Sequence, residues 1–463
     1  MVCEVEGMRL KKYICDKAFL KMVCTIAAPI ILQQIVETLV GLADSMMVSG
    51  YSEFGVSAVQ IGSQWEQIAT LLSFGICSGV GIYTAQFFGS QDYKNLKKSF
   101  GTMIMLSVAI AIPFILAAVF IPKIICGFYI SDPTIIHYGS QYLIVTGISY
   151  VFVMVSFCFN YTYRCMSKTK VTMVISSITV LLNCLFNYLL IFGHFGFPEL
   201  GIVGAAYGTL ISRGLGTLMY VIYSTKTKQV FLGKLSVMFK PDPQFLQPVI
   251  RRILPTVANE GLFGVGQTLF FKAFGMIGVH AVTSVAIADR ISNLFFMVIW
   301  AIVSAVQAII GNTLGKNDMK LAKTYADYFM GMGLVVSVVL GLLMVITAPY
   351  LIGILYANES GVVQQAATFI LYAYAIKIGL RLFNAVIFGF LRAGGDTKVL
   401  ALLDSVILYT VGLPLAFLCV TVFHFDIVPT IILIQLEQVI RIILAFKRYR
   451  SGAWMQNVTA DVN

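Results

Sequence analysis

The chain has 463 residues, of which 59% are hydrophobic and only 11% charged, with a mean hydropathy of +0.88. Soluble globular domains carry about 25% charged residues, so a soluble body of this size is excluded, and the apolar richness excludes an intrinsically disordered chain. The net charge of +11 would suggest nucleic acid in a soluble protein. Membrane proteins, however, collect Lys and Arg in their cytoplasmic loops, and no nucleic-acid partner is expected.

Residues 1–19 mix acids and bases and have no long apolar core before Met22. They read as a cytoplasmic lead-in rather than a signal peptide. A spanning helix needs about 20 mostly apolar residues. Twelve such runs are predicted, at 20–48, 57–87, 98–121, 138–163, 171–193, 203–224, 247–275, 281–312, 325–348, 363–391, 399–422 and 428–447. The fold class is therefore an all-α polytopic membrane protein. The stretch 225–246 breaks the apolar rhythm, is basic, and contains Pro241 and Pro243. It reads as a cytoplasmic linker between an N-lobe of six helices (20–224) and a C-lobe of six (247–447), with a cytoplasmic tail at 448–463. The nine cysteines show no CxxC or metal spacing, and most sit in apolar runs, where Cys behaves as a small hydrophobe.

The basic residues fix an orientation. Twenty-five of the 32 fall in alternate polar segments, including Arg9, Lys11, Lys12, Lys97, Lys98, Arg164, Lys228, Arg252, Lys316, Arg392 and Arg448, whereas the opposite segments hold only Lys123. Both termini are accordingly predicted to be cytoplasmic. The two halves resemble each other. Pro29 matches Pro255, and Gly89-Ser-Gln-Asp-Tyr-Lys matches Gly315-Lys-Asn-Asp-Met-Lys, both at a spacing of 226; Arg164-Cys-Met-Ser-Lys-Thr-Lys-Val matches Arg392-Ala-Gly-Gly-Asp-Thr-Lys-Val at 228. Six helices per half makes these parallel repeats, and transporters place substrate sites where such repeats meet.

The remaining six bases lie inside helices together with seven acids. Each such group costs at least ~2.5–3.5 kcal/mol on insertion scales and is a functional suspect. The second half holds Glu260, Asp289, Asp404 and Glu437 with Lys272, Arg290, Lys377, Arg381 and Arg441, and can neutralise itself; Glu437 and Arg441 are four apart in the favourable order. The first half holds Glu37, Asp44 and Glu66 against Arg213 alone, a surplus of two carboxylates. An unpaired carboxylate in low dielectric either stays protonated or binds a cation. Glu37 and Asp44 are seven apart and share a helix face. Asn183 and Asn187 are four apart on the fifth helix. They fit either an oxygen-lined site for Na⁺ or a proton acceptor opposite Asp44, or else interhelical hydrogen bonds. Pro29 is a plausible bend in the first helix. Aromatics of the first half, among them Phe74, Tyr150, Phe157 and Tyr161, could stack on organic cations or be ordinary packing. No Walker A, GxSxG or HExxH sequence is present, so an enzyme is not expected.

In order along the chain, Ala28-Pro-Ile-Ile-Leu-Gln-Gln-Ile-Val-Glu-Thr-Leu-Val-Gly-Leu-Ala-Asp44, Ala85-Gln-Phe-Phe-Gly-Ser, Asn187-Tyr-Leu-Leu-Ile-Phe-Gly-His-Phe-Gly-Phe-Pro-Glu-Leu-Gly, Gly204-Ala-Ala, Arg392-Ala-Gly-Gly-Asp-Thr-Lys and Gly412-Leu-Pro-Leu-Ala resemble the multidrug and toxic-compound extrusion (MATE) transporters over nearly the whole chain. The resemblance implies two six-helix lobes and antiport of organic, often cationic, compounds against H⁺ or Na⁺ in the cell (inner) membrane. It implies a monomer in contact with lipid and small organic substrates, with no cofactor beyond the coupling ion. It makes Asp44 the coupling acid, with Asn183, Asn187 and Thr209 around it and Na⁺ a candidate ligand of Asp44, Asn183 and Asn187. Glu37 stands where glutamine is usual and adds a second acid. Glu260 matches a second cation or substrate site, but the tenth helix offers Lys377 and Arg381 instead of the acid found in some members. Gln33, Gln34, Tyr150, Phe157 and Lys377 are expected to line the substrate cavity. A related flippase for lipid-linked sugars is the alternative, since such proteins tend to have basic cavities.

Overall fold

The computed structural model describes residues 13–51, 54–240, 242–357 and 359–461; the predicted lead-in bases Arg9, Lys11 and Lys12, and Pro241 of the linker, lie outside them. Where no water is available, a helix satisfies every backbone polar group internally, and the apolar runs fold accordingly. Twelve long helices follow one another: α1 Lys17–Tyr51, α2 Gly55–Gly89, α3 Tyr93–Phe120, α4 Pro133–Cys165, α5 Thr169–Phe192, α6 Gly201–Lys226, α7 Pro243–Gly275, α8 Val279–Gly315, α9 Met319–Leu355, α10 Gly361–Ala393, α11 Thr397–Thr421 and α12 Ile427–Ser451. Among the described residues, ten of them are long and apolar enough to cross a membrane. The sequence reading misses the short helices Pro122–Tyr129, between α3 and α4, and Leu235–Met238, between α6 and α7.

The repeat is written into the backbone. Asp92 caps α3 by accepting from the Asn95 amide at 3.1 Å, and Asp318 caps α9 by accepting from the Leu321 amide at 2.9 Å. Each cap follows a residue in the left-handed region, Gln91 (φ 60°) and Asn317 (φ 59°). Asp and Asn-type side chains in the first turn satisfy amides that have no helical partner.

Contacts divide the chain into two compact units, one of residues 28–249 and one of residues 250–463 joined by the N-terminal segment that ends at Ala27. This division falls a few residues into α1 and α7, whereas the sequence reading starts the lobes at 20 and 247. The reason lies in the first turns of α1 and α7. Phe19 packs among Tyr325, Tyr328 and Phe329 of α9, with ring centroids 5.4, 5.3 and 4.9 Å away. The Tyr13 carbonyl approaches Gly331 so closely that a Cβ there would lie 2.0 Å from it. At the corresponding place 226 residues on, Asp242 pairs with Lys98 of α3 at 2.7 Å, and Phe245 stacks on Phe87 at 6.2 Å. The hydrogen bond from the Lys98 ammonium holds the Asp242 carboxyl below the usual range. Each repeat's first helix therefore begins among residues of the other repeat's unit, and α1 changes unit two residues before Pro29.

The predicted linker and tail are also packed rather than free. Phe231 is fully buried against Phe100, Phe159 and Tyr163, at 4.7, 6.0 and 5.2 Å. Trp454, beyond α12, is fully buried on Phe390 and Tyr449 at 5.5 and 6.2 Å. A Cβ on Gly101 would sit 2.0 Å from the Met238 carbonyl oxygen. Gly101→Val should therefore lower the Tm of the purified protein, by about 1–3 kcal/mol of overpacking. Gly353→Ala, whose Cβ meets nothing within 4 Å, should not. Equal Tm values for the two variants would contradict this packing.

Candidate functional site: the Asp44 cluster

The cluster is built on three helices of the first unit. On α1, spacings of four and seven put Gln33, Glu37 and Asp44 on one face. On α5, the same spacing of four aligns Asn183 and Asn187. Helix α6 brings Thr209, and glycines let it approach α5. A Cβ on Gly204 would lie 2.3 Å from the Leu190 carbonyl oxygen, and one on Gly208 would lie 2.2 Å from Asn187 Oδ1. Small residues at such crossings permit close helix contact in membranes. The connection between the two helices starts at Gly193, in the left-handed conformation (φ 70°).

The Asn183 amide reaches both neighbours. With its nitrogen facing the carboxylate, Nδ2 donates to Asp44 Oδ2 at 2.7 Å and Oδ1 accepts from the Thr209 hydroxyl at 3.2 Å. Asn187, almost fully buried, also hydrogen-bonds the Asp44 carboxyl. Asp44 Oδ1 and Asn187 Oδ1 are buried and accept no hydrogen bond. The four side chains expected together from the sequence are thus together. Their unsatisfied oxygens are hard ligands, which suit a proton or an alkali cation better than a transition metal. Among the described residues no group of three His, Cys, Asp or Glu could hold a metal.

Glu37 goes elsewhere. Gln33 Nε2 donates to its Oε1 at 2.9 Å, and the Arg164 guanidinium acts on it through space. Arg164, read from the sequence as a cytoplasmic loop base, turns inward from the last turn of α4. Glu66 makes a two-pronged pair with Arg213, at 2.7 and 2.9 Å, and Arg213 also donates to Ser149 at 3.0 Å. The expected surplus of two carboxylates shrinks to one. Among the described residues of this unit, Asp44 is the intramembrane acid that faces no base.

The expected cavity residues are dispersed. Gln33 is buried on Glu37 and Gln34 is half-buried. Phe157 is half-buried beside Phe74 and Tyr161, at 6.4 and 6.2 Å. Tyr150 has no exposed surface and is corrected to a core residue, packed with Ala118, Ile125, Cys126 and Leu143.

Three acids of the second unit are paired with bases. Glu260 lies 3.2 Å from Arg392, which the sequence count had also placed in a loop. A cation reaching Glu260 would have to displace that guanidinium. Arg441 bridges Asp404 and Glu437. Asn259, absent from the sequence-based candidates, donates to Asp404 Oδ2 at 3.0 Å and accepts from Ser405 at 2.7 Å. Here α11 is wound as π-helix over Leu402–Val406 and Leu408–Gly412, a distortion frequent at functional sites.

A family model, MatE, matches residues 29–189 and again residues 255–418. The chain belongs to the MatE family. The two matches begin at Pro29 and Pro255, the same 226-residue spacing that relates the halves of the sequence. The family is one of transporters, not enzymes. The chain is 26% identical over 445 residues to the "Uncharacterized transporter YisQ" of Bacillus subtilis, covering 95% of this chain and 96% of that protein. It is 26% identical over 407 residues to a "Probable multidrug resistance protein NorM" of Photorhabdus laumondii, covering 86% and 87%. Among solved structures, an Asp-to-Asn mutant of the Vibrio cholerae MATE transporter VcmN superposes with a TM-score of 0.85 at 15% identity, covering 95% of this chain and 98% of that one.

The charge pairing predicts a contrast in stability. Arg213→Ala leaves Glu66 half-buried without its base and should cost about 1–3 kcal/mol. Asp44→Asn breaks no ion pair and should leave thermal unfolding close to wild type. Equal losses in the two variants would contradict the assignment of partners.

Proposed function

We propose that this transporter is a secondary active antiporter that exports organic, often cationic, compounds in exchange for H⁺ or Na⁺ by alternating access. The observation that carries the reading is the lone Asp44 carboxylate, held by Asn183 and Asn187 at membrane depth with no facing base among the described residues. A charge so placed is costly. A proton or Na⁺ relieves that cost, and its release restores it. Asp44 Oδ1 and Asn187 Oδ1 supply oxygens to the coupling ion, and Thr209, by donating to Asn183 Oδ1, keeps the Asn183 nitrogen turned to the carboxylate. Glu37, already facing Arg164, acts in this scheme as a fixed charge pair rather than as a second coupling acid. Moving a two-state equilibrium from 1:99 to 99:1 takes ~5.5 kcal/mol of differential binding, and a buried carboxylate changing its charge is of the size required. Pro29, beside the point where α1 changes unit, is the proposed hinge. The multidrug names among the relatives support the same substrate class. A flippase for lipid-linked sugars is the second reading, favoured by the bases Lys377 and Arg381, neither of which has a carboxylate within ion-pair distance among the described residues.

The test is ethidium transport in inverted vesicles under separately imposed Na⁺ and H⁺ gradients. Wild type should respond to one gradient, and Asp44→Asn should lose gradient-driven transport while still folding. Transport by Asp44→Asn at the wild-type rate would sink the assignment. The basic loops also set the proposed orientation in the cell membrane. A fluorescent protein fused to the C-terminus should be bright and an alkaline phosphatase fused there inactive; the reverse pattern would place that terminus outside.

A further inference from the structure

The second unit contains two neighbouring bases on which its own acids act only through space. Lys377 and Arg381 are four apart on α10 and share a face. Both are half-buried rather than sealed off completely. Among the described residues neither makes an ion pair within 4 Å. The Lys377 ammonium rests over the Tyr374 ring at 4.0 Å, and the Arg381 guanidinium over Phe296 and Phe263 at 5.0 and 5.8 Å.

The acids that could neutralise these bases are committed to other groups. Asp404 and Glu437 both bind Arg441, so that one guanidinium holds two carboxylates. Asp404 further accepts from Asn259. Asp289 hydrogen-bonds the Tyr374 hydroxyl and acts on Lys377 only through space. Glu260 is held by Arg392. The first unit shows the opposite case, an acid without a base. Aromatic faces stabilise a cation without cancelling its charge, and a planar guanidinium beside an ammonium is well suited to bind oxyanions.

We propose that Lys377 and Arg381 form an oxyanion-binding site, which takes the carboxylate or phosphate of an otherwise organic ligand. Two sources share this chemistry: the carboxylate of an exported zwitterion, and the phosphate of a lipid headgroup. Its place in transport rests on the export reading above, but binding to it does not.

The experiment measures binding to the purified full-length protein in detergent, without any ion gradient. Norfloxacin, which carries a carboxylate, is compared with its methyl ester, which does not. Wild type should bind the acid at least tenfold more tightly than the ester, and Lys377→Gln with Arg381→Gln should bring the ratio to about one. Lys377→Arg, which keeps the charge, should retain the preference and serves if the double variant fails to fold. A ratio near one in wild type, or the same preference in the double variant, overturns the site. Competition by a short polyprenyl pyrophosphate at lower concentrations than by norfloxacin supports the site and assigns it to a lipid headgroup; competition by norfloxacin first supports it and assigns it to an exported compound. Failure of gradient-driven ethidium transport would count against the antiport reading and leave this ratio unaffected.

Discussion

A carboxylate at membrane depth needs a base, a cation or a proton, and the first unit meets that need for two of its three acids. Arg213 takes Glu66 with two hydrogen bonds, and Arg164 faces Glu37. Asp44 receives only amides. In the same low dielectric the amides around Asp44 supply hydrogen bonds but no opposite charge. Its neighbours stabilise the group without cancelling its charge, which is the condition the proposed coupling requires.

That arrangement depends on backbone proximity. Gly204 and Gly208 let α6 lie against α5, and the contact aligns Thr209 with Asn183 and presses Asn187 toward α1. The helix that carries Asp44 belongs to both units: its start is fixed by Phe19 among three aromatic rings of α9, and its remainder by the first unit. The packing that holds the ends of this helix is thus separate from the polar contacts that hold its acid. The second unit resolves its charges differently. Arg441 gathers Asp404 and Glu437 where α11 departs from α-helical winding, and Lys377 and Arg381 are left to aromatic rings.

Much of this was legible in the sequence because hydropathy and spacing carry it. Runs of about 20 apolar residues located the twelve helices, the 226-residue spacing located the repeat, and a helix period placed Asn183 and Asn187 on one face. The inward turn of Arg164 and Arg392 was not legible, since a base at a helix end looks the same in sequence whether it meets water or a buried acid. The error mattered: it set the first half's surplus at two acids instead of one. Tyr150 illustrates a second limit, because an aromatic in a spanning helix has the same local signal in a core as in a cavity. The lobe boundaries were displaced for a third reason. Phe19 and Phe245 occupy matching places in the repeats, 226 apart, yet only tertiary contacts reveal that each packs with the other repeat's unit.

The central claim is that one carboxylate, Asp44, couples an ion to the movement of an organic compound. It is tested most directly by running the exchange backwards in sealed proteoliposomes, with a drug gradient imposed and Na⁺ and H⁺ initially at equilibrium. Wild type should drive a counterflow of one of these ions, and Asp44→Asn should drive none while still binding the drug. Ion counterflow through Asp44→Asn at the wild-type rate would contradict the account.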